Sequence, residues 1–237
     1  MYSFDSRVRY SETGENGRLS IRGMIDYMQD CSTFQSEDAG VGVRYFEESH
    51  KAWMLSSWRI RIRQMPRLGE RIRVGTWPTS FKGLHGFRDF LISSPEGEVL
   101  VQAHSVWFLY DTQKNVPLRV GDIDREPYGA TEPPLDMGPD PGRIKLPDPE
   151  HFTEGEPVRI QPHHLDTNHH VNNAWYVEFA RGAIPQLCEI REIRAEYKKA
   201  ALLGDVLIPR IAADPQGGRI VVLAGENGEI SAAAAFS

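Results

Sequence analysis

The chain has 237 residues, 40% apolar and 25% charged, the make-up of an ordinary globular protein with material for one large core or two smaller ones. A formal charge of −6 gives no electrostatic footprint for nucleic acid or an anionic membrane surface. No apolar run approaches the ~18 residues of a membrane span, and MYSFDSRVRYSE lacks the apolar segment of a signal peptide, so a cytoplasmic protein is expected.

Residues 4–10 alternate as a strand does, through Phe4, Ser6, Val8 and Tyr10. A turn with Gly14 and Gly17 precedes a predicted helix over 20–38, where Ile21, Met24, Ile25, Met28, Cys31 and Phe34 recur at three and four. Ser20 is a natural N-cap, and Gly40 and Gly42 stop the helix. A connection through Tyr45 and Phe46 then leads to predicted strands over 52–65, 70–80, 83–93 and 98–111, the first alternating through Trp58, Ile60 and Ile62. From 119 to 157 the texture changes. Eight of the 16 Pro fall there, among Gly and Asp, which predicts an extended linker.

The plan then returns: a short strand over 157–161, a helix over 172–188, and strands over 190–198, 205–213, 218–225 and 229–236. Leu68-Gly69-Glu70 is echoed by Leu203-Gly204-Asp205, and Pro95-Glu96-Gly97-Glu98-Val99 by Glu226-Asn227-Gly228-Glu229-Ile230. Gapless alignment of the two approaches to the helices sets Gly14 against Asp166, Arg18 against His170 and Ser20 against Asn172. A long helix followed by an antiparallel meander must bury its apolar stripe on a sheet face. The expected fold class is therefore α+β, a duplicated unit with a long helix packed on an antiparallel sheet. The expected organisation is 1–118, a linker at 119–157, and 158–237. Cys31 and Cys188, each in a helical pattern and far apart, read as two buried thiols rather than a disulfide or a zinc site.

The second copy carries the chemistry. Residues 162–176, PHHLDTNHHVNNAWY, hold four of the eight His (His163, His164, His169 and His170) beside Asp166, Asn168, Asn172 and Asn173. From Val171 the pattern becomes helical, with Trp175, Phe179 and Ile184 on one stripe and Glu178 and Arg181 facing away. A helix start offers unpaired N–H groups and the positive end of the macrodipole. Asp166, Asn168 and His170, at i, i+2 and i+4, can share one site there: the carboxylate supplies a base, and amides around Val171, Asn172 and Asn173 hold a developing oxyanion. The plainer alternative is that Asn172 or Asn173 caps the helix and the histidines lie on a wet loop. An iron site using His164 and Asp166 would want a third His, and none follows His170. No metal and no cofactor are expected.

The string Asp166-Thr167-Asn168-His169-His170-Val171-Asn172-Asn173-Ala174-Trp175-Tyr176, read as D-x-N-x-H-V-N-N-x-x-Y, resembles the signature of the bacterial acyl-ACP thioesterases. Pro66-Arg67-Leu68-Gly69-Glu70, Thr76-Trp77 and Ala103-His104-Ser105-Val106-Trp107 look like the first unit of that family, so the resemblance runs over most of the chain. It implies a double (tandem) hotdog fold, catalytic positions at Asp166, Asn168 and His170, and hydrolysis of a fatty acyl thioester on acyl carrier protein. Plant members carry a Glu-Cys pair a little past the place of Glu196-Tyr197. Here those positions read Ala200-Ala201, so a Cys nucleophile is missing there and Asp166 is favoured as the working carboxylate.

An acyl chain needs apolar walls, for which Met24, Met28, Trp53 and Trp58 are candidates, with ordinary core as the equal alternative. Arg59, Arg61 and Arg63 alternate on one strand face with Arg67, Arg71 and Arg73 nearby, either a docking face for an acidic carrier protein or a solvated sheet face. An acyl-CoA thioesterase and a non-catalytic acyl- or carrier-binding module are the rival functions. A homodimer is left open.

Overall fold

The computed structural model describes residues 1–187, 189–215 and 217–237. Cys188, expected in a helical pattern, lies outside them. The chain divides into two compact units, 1–56 with 60–138 and 57–59 with 139–237.

In the first unit β1 (Tyr2–Arg7) precedes α1 (Ile21–Asp38) and a short α2 (Val43–Ser49). Then come β2 (Lys51–Ile62), β3 (Arg71–Lys82), β4 (His85–Ser93), β5 (Val99–Asp111), β6 (Val116–Leu118) and a single helical turn, α3 (Asp122–Arg125). The strands run in the order β1-β3-β4-β5-β2, with β6 also on β5. Helix α1 starts where Ser20 Oγ accepts the Gly23 N–H at 3.0 Å. Its Met24, Ile25, Tyr27, Met28 and Cys31 are buried, each large apolar side chain contributing about 1.5–3 kcal/mol. Register puts Val74 opposite Ile92 and Thr76 opposite Phe90, all four buried, so the pleat supplies one continuous buried face.

Two details differ from the sequence expectation. The first strand ends at Arg7, because the Arg9 N–H goes to Glu12 Oε2 (2.9 Å) and the chain turns through a 3-10 segment, leaving Tyr10 83% exposed. Helix α2 replaces an irregular connection. It has only seven residues and ends on His50 at φ 54, so it offers too little periodicity to be read.

The Pro-rich stretch is shared between the units. Trp77 Nε1 donates to the Pro133 carbonyl at 3.1 Å, and buried Asp89 accepts the Leu135 N–H at 2.7 Å, so 133–135 cross the first sheet. In the second unit Glu196 accepts the Ile144 N–H at 2.6 Å, while Ile144, Leu146 and Phe152 pack on Ile220, Val222, Ala233 and Ala235. Each end of the stretch is a strap held to its own sheet by a carboxylate.

The second unit continues with β7 (Thr153–Glu154), β8 (Val158–Arg159), α4 (Asn173–Gly182), β9 (Glu192–Tyr197), β10 (Val206–Ala213), β11 (Arg219–Gly225) and β12 (Ile230–Phe236). The order is β9-β12-β11-β10, with β7 and β8 on the other side of β10. Helix α4 stops at Gly182, short of the predicted 188. Pro185 bars the helical conformation at Ile184, and Arg181 Nη1 ties off the Ile184 carbonyl at 2.9 Å. Ala180, Ala195, Ala232 and Ala234 line the layer under α4 together with Tyr176 and Tyr197, and their small side chains let the helix lie close to the sheet. Among the described residues no helix is long and apolar enough to cross a membrane.

Candidate active site

A 3-10 turn (Pro162–His164) delivers the chain to a loop closed by the bridge of Leu165 with Val171. Within it the Asp166 N–H donates to the His170 carbonyl (2.8 Å) and the His169 N–H to the Asp166 carbonyl (3.0 Å). His169 takes the left-handed conformation at φ 59. The Asp166 carboxylate turns inward, so that Oδ1 accepts the N–H of Asn168 at 2.8 Å and that of His170 at 3.3 Å. Asp166 Oδ2 has no hydrogen-bond partner among the described residues. Asp166 and His170 are half-buried and Asn168 is exposed. The three predicted residues therefore share one loop, joined by backbone amides to the Asp166 carboxylate rather than by bonds between side chains.

Two of the three predicted oxyanion donors, Val171 and Asn172, need correction. The Val171 N–H is committed to the Ala201 carbonyl (3.1 Å) and the Asn172 N–H to the His164 carbonyl (2.9 Å). Both bonds fasten the loop to its surroundings, and an amide with a carbonyl partner is not open to a substrate oxygen. Asn172 is the N-cap of α4, its Oδ1 accepting the Ala174 N–H at 2.9 Å, while the Asn173 carbonyl receives the Tyr197 hydroxyl at 3.0 Å. The capping alternative thus describes Asn172.

Two tyrosines hold this arrangement, and chemistry-based reading of the sequence passed over them. Tyr176 Oη accepts the Ala201 N–H at 2.7 Å. Burial, with Asp166 and Asp205 nearby, pushes its hydroxyl up to about 12 against the opposing Ala201 hydrogen bond, so it keeps its proton. Burial likewise raises Tyr197, whose ring meets Tyr176 edge-on at 5.7 Å. Tyr176 lies inside the motif string, but only the fold reveals its partner.

His164 is buried with its ring 4.6 Å from Trp175 and 4.9 Å from Phe179. Its Nδ1 accepts the Gln161 N–H at 3.0 Å. Burial first, and His163 second, hold its imidazole below the ordinary value. That structural employment removes the motive for reading His164 as an iron ligand. Among the described residues no three His, Cys, Asp or Glu side chains converge as a metal site. On α1, burial pushes the Cys31 thiol up to about 12, which keeps it from acting as a nucleophile.

Of the residues offered as acyl walls, Met24, Met28 and Trp58 are buried, and Trp53 is half-buried against Phe81 at 6.2 Å. Arg59 and Arg73 of the arginine face are engaged within the chain. Arg59, which belongs with the second unit, meets Glu192 at 3.3 Å and the Pro139 carbonyl at 2.9 Å, and Arg73 meets Asp5 at 2.7 Å.

Residues 1–128 match the acyl-ACP thioesterase N-terminal domain, more than half of the chain. The chain belongs to the acyl-ACP thioesterase family. It is 26% identical over 226 residues to the palmitoyl-acyl carrier protein thioesterase of Cuphea hookeriana, covering 89% of this chain and 54% of that protein. The chain spans about half the length of the curated relatives it matches. An acyl-ACP thioesterase from Bacteroides thetaiotaomicron superposes with a TM-score of 0.85 at 22% identity, covering 99% of this chain and 97% of that one. The 12:0-ACP thioesterase from Umbellularia californica gives 0.85 at 19%, covering 100% and 97%. The acyl-ACP thioesterase fold is therefore that of the whole chain, a tandem hotdog with the motif loop at the start of α4. The names of these relatives differ in acyl group, palmitoyl and 12:0, so chain length does not follow from family membership.

Proposed function

We propose that the chain hydrolyses fatty acyl thioesters on acyl carrier protein, releasing free fatty acid and ending chain elongation. Within the family frame, the observation that supports this most is the Asp166 carboxylate. Its Oδ1 is steadied by two amides, while Oδ2 has no partner among the described residues. A carboxylate oriented in that way has one oxygen free to meet a water molecule. Ala201 lies against the motif through its carbonyl bond to Val171 and offers only a methyl group, so the chemistry falls to Asp166 rather than to a thiol.

Water attacks the carbonyl carbon as Asp166 Oδ2 takes its proton. The tetrahedral intermediate then collapses, the C–S bond breaks, and the leaving thiolate receives the proton from Asp166. A direct attack by Asp166 would instead form an anhydride as the C–S bond breaks and the thiolate leaves; water then opens the anhydride to the free acid and the Asp166 carboxylate, and the released proton goes to the thiolate. With the Val171 and Asn172 amides committed, Asn168 and His170 side-chain donors serve the carbonyl oxygen. Glu196 holds the Ile144 N–H through Oε1 at 2.6 Å.

The test is to incubate the protein, without added metal, with acyl carrier protein carrying chains of eight to eighteen carbons and, in parallel, with the matching acyl-CoAs. Free acid and thiol should appear from the carrier protein and vanish with Asp166→Ala. Release from CoA alone would move the assignment to acyl-CoA, and binding without release from either would make this a binding module.

A further inference from the structure

Beside the motif loop stands a turn, Leu202-Leu203-Gly204-Asp205, with its two leucines 50% and 57% exposed. The turn is built firmly. The Leu202 N–H donates to Asp205 Oδ2 at 2.9 Å, the Asp205 N–H returns to the Leu202 carbonyl at 3.1 Å, and Gly204 supplies φ 88. It is also moored on both sides. Ala201, immediately before it, bonds Val171 of the motif through its carbonyl and the Tyr176 hydroxyl through its amide. On the far side the Gly204 N–H meets the Ile160 carbonyl at 3.2 Å, and the Ile160 N–H meets the Asp205 carbonyl at 2.8 Å.

The first unit contains the same turn, Arg67-Leu68-Gly69-Glu70, closed by Arg67 N–H to Glu70 Oε2 at 2.9 Å with Gly69 at φ 82. There the first corner is a charged residue. The turn accepts Arg at that place, so its geometry does not require an exposed leucine at 202. Single exposed leucines are ordinary, but an adjacent pair on a rigid mount forms a contact surface without an ordering cost. Two exposed cations frame it: Lys198 on the approach, and Arg159, whose strand position pairs with Val206 just past the turn. Neither has an ion-pair partner among the described residues.

We infer that the Leu202-Leu203 turn, with Lys198 and Arg159, is the docking surface for an acidic acyl carrier protein, which meets the leucines with an apolar contact and the cations with its acids. The inference rests on the thioesterase reading above. The surface adjoins the loop that would receive the tethered thioester, and its charge is complementary to that partner.

The experiment uses Leu203→Glu, with Leu68→Glu in the first unit as the matched control and Leu202→Arg as a variant whose fold the first unit already supports. Each is assayed on acyl carrier protein and on the same acyl group carried by N-acetylcysteamine, which has no protein to dock, and each is titrated against acyl carrier protein for Kd. Leu203→Glu should raise KM and Kd for the carrier protein about ten-fold, the effect of losing a central interface contact, with kcat and the small thioester little changed. Leu68→Glu should alter neither. Equal losses on both substrates, or no change on the carrier protein, would overturn the surface. If the unmodified protein hydrolyses neither thioester, the thioesterase reading fails and Kd alone decides: unchanged or undetectable carrier binding overturns the surface, and binding lost only in Leu203→Glu sustains it.

Discussion

The Gly14 N–H reaches the Arg18 carbonyl at 2.9 Å, and the Asp166 N–H reaches the His170 carbonyl at 2.8 Å. The parallel continues bond by bond along the two loops that lead into α1 and α4. Gly17 to Gly14 matches His169 to Asp166, both at 3.0 Å. Leu19 to Pro66 at 2.9 Å matches Val171 to Ala201 at 3.1 Å, and Ser20 to Glu12 at 2.8 Å matches Asn172 to His164 at 2.9 Å. The same backbone bonds thus shape both loops although the side chains at their matching positions differ. In the first unit those positions carry Gly14, Asn16, Gly17 and Arg18; in the second, Asp166, Asn168, His169 and His170. The second loop even keeps a histidine at φ 59 where the first has Gly17 at φ 69, at a cost of about 1 kcal/mol. His50 and Asn115 take the same conformation elsewhere in the chain, so the two loops share a backbone shape that does not depend on glycine.

The sharpest way to break the comparison is Asp166→Gly, which imports the residue of the first loop. Hydrolysis should fall by about a hundred-fold or more, the scale of a lost general base, while Tm moves little because Gly14 already makes the same backbone bonds. A large drop in Tm would instead make the carboxylate a structural part of its turn.

A smaller effect comes from the one scaffold bond that the units make differently. Pro66 has no N–H, whereas the matching Ala201 has one, and the Tyr176 hydroxyl satisfies it where the first unit has Met24. Tyr176→Phe should cost about 1–3 kcal/mol in chemical denaturation by leaving that buried amide unpaired. Adding Ala201→Pro, which removes the amide, should recover part of the loss. No recovery would mean the hydroxyl matters for another reason.

The smallest effect is in pH. His164 stands where the first unit has Glu12. Burial, with His163 beside it, lowers the His164 value from 6.5, so the unfolded chain takes up a proton before the folded one does. The stability supplied by the neutral ring is full above 6.5 and is lost as pH falls toward the folded value. At Glu12, burial pulls upward, but hydrogen bonds from Tyr27 and Arg9 outweigh it and lower the value from 4.5, so its contribution holds until pH drops below that range. Between about pH 7 and about pH 5.5, Tm should fall in the unmodified protein and less in His164→Gln. An equal fall in both would place the sensitivity elsewhere.

Much of the architecture was legible because it depends on neighbours along the chain. The stripe from Ile21 to Cys31, the Ser20 cap, the alternating strands and the echo of Leu68-Gly69-Glu70 in Leu203-Gly204-Asp205 are local patterns, and the fold honours them. The early end of α4 was legible too, since Pro185 lay in view. The clustering of Asp166, Asn168 and His170 follows from spacing alone, because five residues of one tight loop cannot be far apart. Which amides remain available is another matter. The Val171 N–H is taken by a carbonyl thirty residues on, at Ala201, and the straps at Leu135 and Ile144 are held by Asp89 and Glu196 from distant strands. Periodicity and capping are set by adjacent residues, so the sequence by itself determined most of the elements, the duplication and the chemical identity of the loop. Hydrogen-bond partners across a closed loop exist only once distant segments meet, so the tertiary structure alone decided which groups are committed to the scaffold and which are left to act.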